Sequence, residues 1–287
     1  LSRSWENTGT LAREGVSAML QFRFDALSDT GRVRENNEDA GFAGPYLLCV
    51  ADGVGGAAAG EVAAATATYV VSARALAHPG HDPLRVLARA VEDAHEQITA
   101  GVVASPSRRG MATTLTAVLT DGRRFGLAHV GDSRAYLLRG GELTRLSHDH
   151  TMVQSMVDAG TLSPAQAAAS PYGHVVLQAV DATTTPVPDL LWLDLRAGDR
   201  LVLCSDGLTD VLADSALAAL GSLPTRSEVA ANLVTAALDG GSRDNVTVIV
   251  ADVVDADPIV GTGLVIGAAL DLSNVVDPAG IRPLRSA

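Results

Sequence analysis

The chain is predicted to fold as an α+β layered protein, with β-sheets covered by helices. Three observations carry that expectation. Two amphipathic helical stripes follow one another between Val62 and Ile98. A run of short β segments separated by turn residues then fills positions 113–146. Beyond it come a buried strand at 200–204, a capped helix and a nearly all-apolar strand at 246–254. Helices and strands that each carry an apolar face must stack into layers around a common core.

Residues 46–51 are a short apolar run closed by Asp52-Gly53, the pattern of a buried strand. The glycine-rich stretch 53–60 follows. Val62, Ala65, Tyr69, Ala73 and Leu76 then recur at helical spacing and predict one buried face. Asp82-Pro83 couples an N-cap to a first-turn proline and opens a second helix, striped by Leu84, Leu87, Val91, Ala94 and Ile98. His95 lies beside that stripe and reads as a core or boundary histidine. Residues 113–120, 124–130, 134–139 and 142–146 are rich in β-formers. With Asp121-Gly122 and Gly140-Gly141 as hairpin signals, they predict an antiparallel meander. Residues 151–180 read as short helices and loops. Thr225-x-x-Glu228 is a capping box for a helix reaching about Leu238, which Gly240-Gly241 stops before the last strand, 246–254.

At 287 residues the chain can bury a substantial core, and with aromatics at 3% that core must be aliphatic. A formal net charge of −12 argues against nucleic-acid binding, which needs a basic face. Its plain role is solubility; its sharper one is that some acids are metal ligands. No apolar run reaches the ~18 residues of a membrane span. Cys49 and Cys204 both sit in apolar runs and read as small core hydrophobes in a reducing compartment, so a cytoplasmic location is expected. Residues 1–20 read as a disordered leader or non-native extension, 21–254 as the domain, and 255–287 as a tail of unknown role.

The chemistry is concentrated in acids at strand ends. Asp52 and Asp206 each follow an apolar strand and each precede a glycine. Such an acid is held rigidly and points out of the core, while the glycine lets the backbone turn and expose its carbonyl. Both features suit a hard cation, which prefers oxygen ligands. One Asp-Gly is most simply a turn; several in one chain favour the metal reading.

In chain order stand Arg34-Glu35-Asn36-Asn37-Glu38-Asp39, Ala51-Asp52-Gly53-Val54-Gly55-Gly56 with Gly60-Glu61 following, and Met111-Ala112-Thr113-Thr114-Leu115. Then come Gly131-Asp132-Ser133-Arg134, Ser205-Asp206-Gly207-Leu208-Thr209-Asp210 and Asp244-Asn245-Val246-Thr247. Each motif is weak alone. Together, over about residues 22–254, they resemble the metal-dependent protein phosphatase family, the type 2C serine/threonine phosphatases, in its bacterial form.

The resemblance implies two stacked antiparallel β-sheets flanked by helices on both sides. It implies that Asp52 bridges two divalent cations, Mn²⁺ or Mg²⁺, and that the Gly53 carbonyl binds one of them. Asp39, Asp206 and Asp244 would bind the other. Glu38 would hold a metal-bound water, Arg34 would grip the substrate phosphate, and Asp132 with Asp206 would hold a third, weaker metal. The implied reaction is hydrolysis of phosphoserine and phosphothreonine by a water or hydroxide bridging the two cations, with no protein nucleophile. Phosphorylated proteins would be the substrates, a cognate serine/threonine kinase the counterpart, and a monomer the expected state. Residues 148–176 match the family's flap beside the active site.

The chemistry of the residues agrees. Two cations ~3.5–4 Å apart lower the pKa of a shared water and orient it for in-line attack, and Arg34 offers phosphate a planar fork that lysine lacks. One departure stands out. Many animal members carry a histidine two residues after the bridging aspartate, whereas this chain has Val54. A metal-bound water or another group must then protonate the leaving alcohol. His148 and His150 are candidates that otherwise read as solvated loop residues, and His129 reads as structural. Three competing readings remain: a catalytically silent phosphoprotein binder, a phosphatase specialised for a phosphoserine regulator, and a domain whose Asp-Gly pairs are mere turns. The intact acidic set argues against the first and third.

Overall fold

The computed structural model describes residues 19–54, 59–258 and 263–279. The expected leader up to residue 18, Gly55 and Gly56 of the glycine-rich stretch, and the tail from 280 lie outside the described residues.

Three strands come first, β1 (Met19–Asp29), β2 (Asp39–Ala43) and β3 (Leu47–Val54), followed by helices α1 (Gly60–Ala77) and α2 (Pro83–Ala104). Next are β4 (Ala112–Thr113), β5 (Leu115–Thr120), β6 (Phe125–Val130), β7 (Arg134–Arg139) and β8 (Glu142–Arg145). Short helices α3 (Met152–Asp158) and α4 (Pro164–Ala168) lead to β9 (Asp189–Leu193) and β10 (Arg200–Cys204). The chain continues through α5 (Asp206–Thr209), α6 (Asp214–Gly221), α7 (Arg226–Asp239), β11 (Val246–Ala256) and β12 (Leu264–Gly267).

The strands form two antiparallel sheets. One runs β1-β11-β10-β7-β8; the other runs β12-β2-β3-β5-β6-β9, with β4 paired to β3. Phe22, Leu48, Val50, Phe125, Leu127, Leu201, Leu203 and Ile249 fill the layer between them. The alternate residues of the same strands face helices: Leu47, Cys49 and Ala51 pack under α1 and α2, and Val202, Cys204, Val248 and Val250 pack under α7. Strands buried on both faces need apolar residues at every position, which is why they read as continuous apolar runs. The two cysteines are free and fully buried, and burial pushes both thiols up to about 12. The expected sandwich of two sheets between helices is the observed fold.

Local signals locate both capped helices. The Asp82 carboxylate accepts the Arg85 amide at the start of α2, and Thr225 and Glu228 close a reciprocal capping box on α7. Three expectations need correction. The stripe on α1 is not the buried face: Val62 and Ala65 are buried, but Leu76 is 62% exposed while Ala63, Ala67, Val70 and Val71 are covered. This helix is apolar nearly all round, so its sequence marks no single face. The meander is two hairpins in different sheets, β5–β6 in one and β7–β8 in the other. The chain crosses between sheets at Gly131, whose φ of +104° and contact with Thr114 leave no room for a side chain. Finally, 246–254 is not the last strand. β12 pairs with β2, placing Ile266 opposite Gly41, and Val275 joins the core beside α1. Part of the segment read as a tail therefore packs on the body. No helix among the described residues is long and apolar enough to cross a membrane.

Candidate functional site

Asp39 opens β2 and stands opposite Asp52 of β3 in the antiparallel ladder, so both carboxyls leave the same face of one sheet. Asp206 follows β10 and Asp244 precedes β11, both in the other sheet. Asp132 sits in the crossing between the sheets. The two sheets meet through these groups. Ser205 Oγ donates to Asp39 Oδ2 at 2.7 Å, and Asp206 lies close enough to Asp52 for its charge to raise that carboxyl.

Hydrogen bonds hold the backbone around the acids. The Asp52 amide donates to Thr114 Oγ1 at 3.0 Å, and its carbonyl accepts the Thr114 amide at 2.8 Å and Thr113 Oγ1 at 2.9 Å. The Gly53 amide donates to the Glu38 carbonyl at 3.1 Å. A Cβ at Gly53 would run into the Gly60 carbonyl and lie 2.7 Å from the Glu38 carbonyl, so the approach of β3 to the start of α1 requires glycine. Asn245 pins the loop that carries Arg34 and Glu38: its Nδ2 donates to the Thr30 and Asn36 carbonyls, and its Oδ1 accepts the Glu38 amide at 2.8 Å. Arg34 Nη2 reaches Asp244 Oδ2 at 2.6 Å, and 43% of its side chain is exposed.

Crowding makes these acids hard to ionise. Burial drives Asp52 well above the carboxylate range, and the charges of Asp206, Asp39, Asp132 and Asp244 add to the effect. Asp206 is raised by burial and then by Asp132, Asp210 and Asp244. Burial lifts Asp39 to about 7 against the pull of its Ser205 and Thr247 hydrogen bonds. Asp132 rises to about 6 through burial, Asp149 and Asp210. Glu38 is raised by burial and by Glu61.

Among the described residues, no group of three or more His, Cys, Asp or Glu side chains is placed to hold a metal ion as it stands. The donor set nevertheless fits divalent cations. Every group is an oxygen donor, as Mg²⁺ and Mn²⁺ prefer. Two divalent charges would balance Asp244 together with Asp39, Asp52 and Asp206, whose carboxyls burial otherwise keeps protonated.

All the predicted site residues, Arg34, Glu38, Asp39, Asp52, Gly53, Asp132, Asp206 and Asp244, belong to this one region. The histidines do not supply an evident acid. His148 is exposed and paired with Asp158 at 2.7 Å. His150 is not a solvated loop residue: its Nδ1 accepts the Gly131 amide at 3.2 Å, and its Nε2 lies 3.3 Å from Asp189. His129 is fully buried, bonded to Thr116 Oγ1 at 2.9 Å and depressed to about 4 by burial, in keeping with a structural role. Val54 ends β3 at the rim. Sequence reasoning gave no role to Asp210, Ser205 or Asn245. All three sit inside quoted motifs, which was the signal available.

The protein phosphatase 2C family model matches residues 32–239. The serine/threonine protein phosphatase PstP of Mycobacterium tuberculosis is 47% identical over 243 residues, covering 83% of this chain and 46% of that protein. The chain thus spans about half the length of that curated relative. A crystal structure of the M. tuberculosis PstP/Ppp phosphatase superposes with a TM-score of 0.77 at 45% identity, covering 82% of this chain and 99% of that one. The catalytic domain of PstP in complex with two manganese ions gives 0.75 at 46% identity, covering 82% and 100%. With its order of acids, its two-sheet sandwich and these likenesses accounted for, this chain belongs to the protein phosphatase 2C family.

Proposed function

We propose that this chain carries a metal-dependent phosphoprotein phosphatase activity that removes phosphate from phosphoserine and phosphothreonine. The observation that carries the reading is the convergence of Asp39, Asp52, Asp206 and Asp244 from two sheets onto one site beside an exposed Arg34. The two manganese ions of the PstP catalytic domain support a pair of cations here as well. Asp52 and the Gly53 carbonyl would hold one, and Asp52 with Asp39, Asp206 and Asp244 the other; Asp132 with Asp206 would hold a weaker third. Bound there, Mn²⁺ or Mg²⁺ supplies the Lewis acidity and the activated water that phosphate monoester hydrolysis demands.

The remaining work falls to the chain's own groups. Arg34 grips the phosphate through two parallel N–H donors and orients it. Glu38, fixed by the Asn245 bond to its amide, orients water at the rim of the acids. The flap, residues 148–176, borders the site and would meet the substrate protein. The substrates are phosphoproteins made by a serine/threonine kinase, and the domain works as a monomer on the cytoplasmic side. Two fully buried free thiols are in keeping with that compartment.

The test is release of p-nitrophenol from p-nitrophenyl phosphate with Mn²⁺ and with excess EDTA, for wild type and Asp206→Asn. Hydrolysis should need both the metal and Asp206. Folded, freshly metallated wild type without activity would turn the reading to a silent phosphoprotein binder.

A further inference from the structure

Arg243 stands one residue before Asp244, and the reaction outlined above leaves it unused. It lines a cleft of about 440 Å³ shared with Arg34, Val33, Val211 and Asp210. Arg34 pairs with Asp244 and Arg32 with Asp239, each at 2.6 Å. Arg243 is exposed and has no hydrogen bond or ion pair among the described residues.

The loop presenting it is nonetheless rigid. The Ser242 amide donates to the Ala237 carbonyl at 3.0 Å, and Ser242 Oγ donates to the Gly207 carbonyl at 2.8 Å. On the other side, Asn245 is fixed by its three side-chain bonds. The pinned loop fixes where the guanidinium is presented, so binding an anion has only the side chain left to order. Val33, 54% exposed, and Val211 also line the cleft and offer apolar contact to a bound chain. Asp210 also lines the cleft and disfavours a diffuse anion, so the ligand must be placed at Arg243 by something else.

We propose that Arg243 is a specificity residue that binds a second phosphate or carboxylate on a phosphopeptide whose scissile phosphate lies at Arg34. An extended peptide advances ~3.3 Å per residue, so a cleft of this size takes two or three residues, and the second anion falls within about three positions of the scissile one. The inference rests on the phosphatase reading of the same site.

The test measures kcat/KM on a phosphothreonine peptide and on versions with an added phosphoserine two residues to either side. Wild-type turnover of p-nitrophenyl phosphate is measured alongside. Wild type should favour one doubly charged peptide by about three- to tenfold, the range of an exposed to a bidentate ion contact, and the preference should shrink with added salt. Arg243→Ala should bring the ratio to about one, and Arg243→Lys should keep part of it. Equal kcat/KM for all peptides in an active wild type overturns the inference alone, as does a preference that survives in Arg243→Ala. Absent p-nitrophenyl phosphate turnover would instead sink the phosphatase reading and this one with it.

Discussion

Raising the pH of the metal-free protein should weaken it through Asp39. The folded carboxyl sits at about 7 against an ordinary 3.8, so the folded state holds this proton more tightly than the unfolded chain. The stability from that proton is therefore fully present below the unfolded value and drains away as pH rises toward 7. A shift of about 3 units corresponds to ~4 kcal/mol, of which roughly 2–3 kcal/mol falls between pH 5 and pH 8. At ~2–4 °C per kcal/mol for a chain of this size, that is about 5–10 °C in Tm. His129 acts in the opposite sense: its pKa, depressed to about 4, adds stability as pH rises toward its unfolded value. The informative quantity is thus the Tm difference between wild type and Asp39→Asn, in EDTA, across that range. The variant should gain on wild type by about 5–10 °C as pH climbs. With Mn²⁺ the wild-type trend should reverse, because a cation binds the carboxylate that protons vacate. A difference that stays constant from pH 5 to 8 in EDTA would refute the claim that Asp39 is held protonated by its burial.

Ser205→Ala removes the donor to Asp39 and the acceptor for the Thr247 amide at 3.0 Å. Urea denaturation should show a loss of about 1–3 kcal/mol, and a cost under ~0.5 kcal/mol would discount the bridge between sheets. Arg34→Ala removes only a half-exposed ion pair, so stability should change by less than ~1 kcal/mol while kcat/KM on a phosphopeptide drops about a hundredfold. Arg34→Lys should recover little of that loss, and full recovery would argue against a two-pronged grip. His150→Phe leaves the Gly131 amide without its partner and loosens the crossing that carries Asp132. Calorimetric Mn²⁺ titration should then show the weakest binding step reduced while the two tighter ones persist, and an unchanged third step would disconnect His150 from Asp132.

The site was more legible in the sequence than the layers that hold it. Asp52 and Asp206 each stand at the junction of an apolar run and a glycine turn, whereas Asp39, Asp132 and Asp244 were placed only by the family resemblance. Asp52 and Asp206 could therefore be placed before their partners were known. The path between sheets was not legible, because Gly131 looks like any turn glycine and only Thr114 pressed against it forces the crossing. The buried face of α1 was hidden by its own composition: nearly every side of Gly60–Ala77 carries alanine or valine, and packing against α2, the sheet and the 268–276 segment decides which sides are covered. β9 was missed since Leu190, Leu191 and Trp192 are partly exposed along an edge strand, so their burial follows no alternation.

The placement of the acids also says why fold and cation site are inseparable. Asp39 and Asp52 belong to one sheet, Asp206 and Asp244 flank strands of the other, and Asp132 stands in the connection between them. Charge on all five would push the sheets apart at this end. The apolar layer of Phe22, Leu48, Leu127, Leu203 and Ile249 draws them together just beneath. Two devices oppose the repulsion from within the chain: the Ser205 bond to Asp39 across the sheets and the protons that burial keeps on Asp52 and Asp206. Both would yield to cations, which neutralise the same carboxylates more completely. A cation pair at this position would therefore clamp the sandwich as well as serve chemistry, and its removal should loosen the contact between β2–β3 and β10–β11 before it disturbs α2 or α7, whose packing lies on the outer faces.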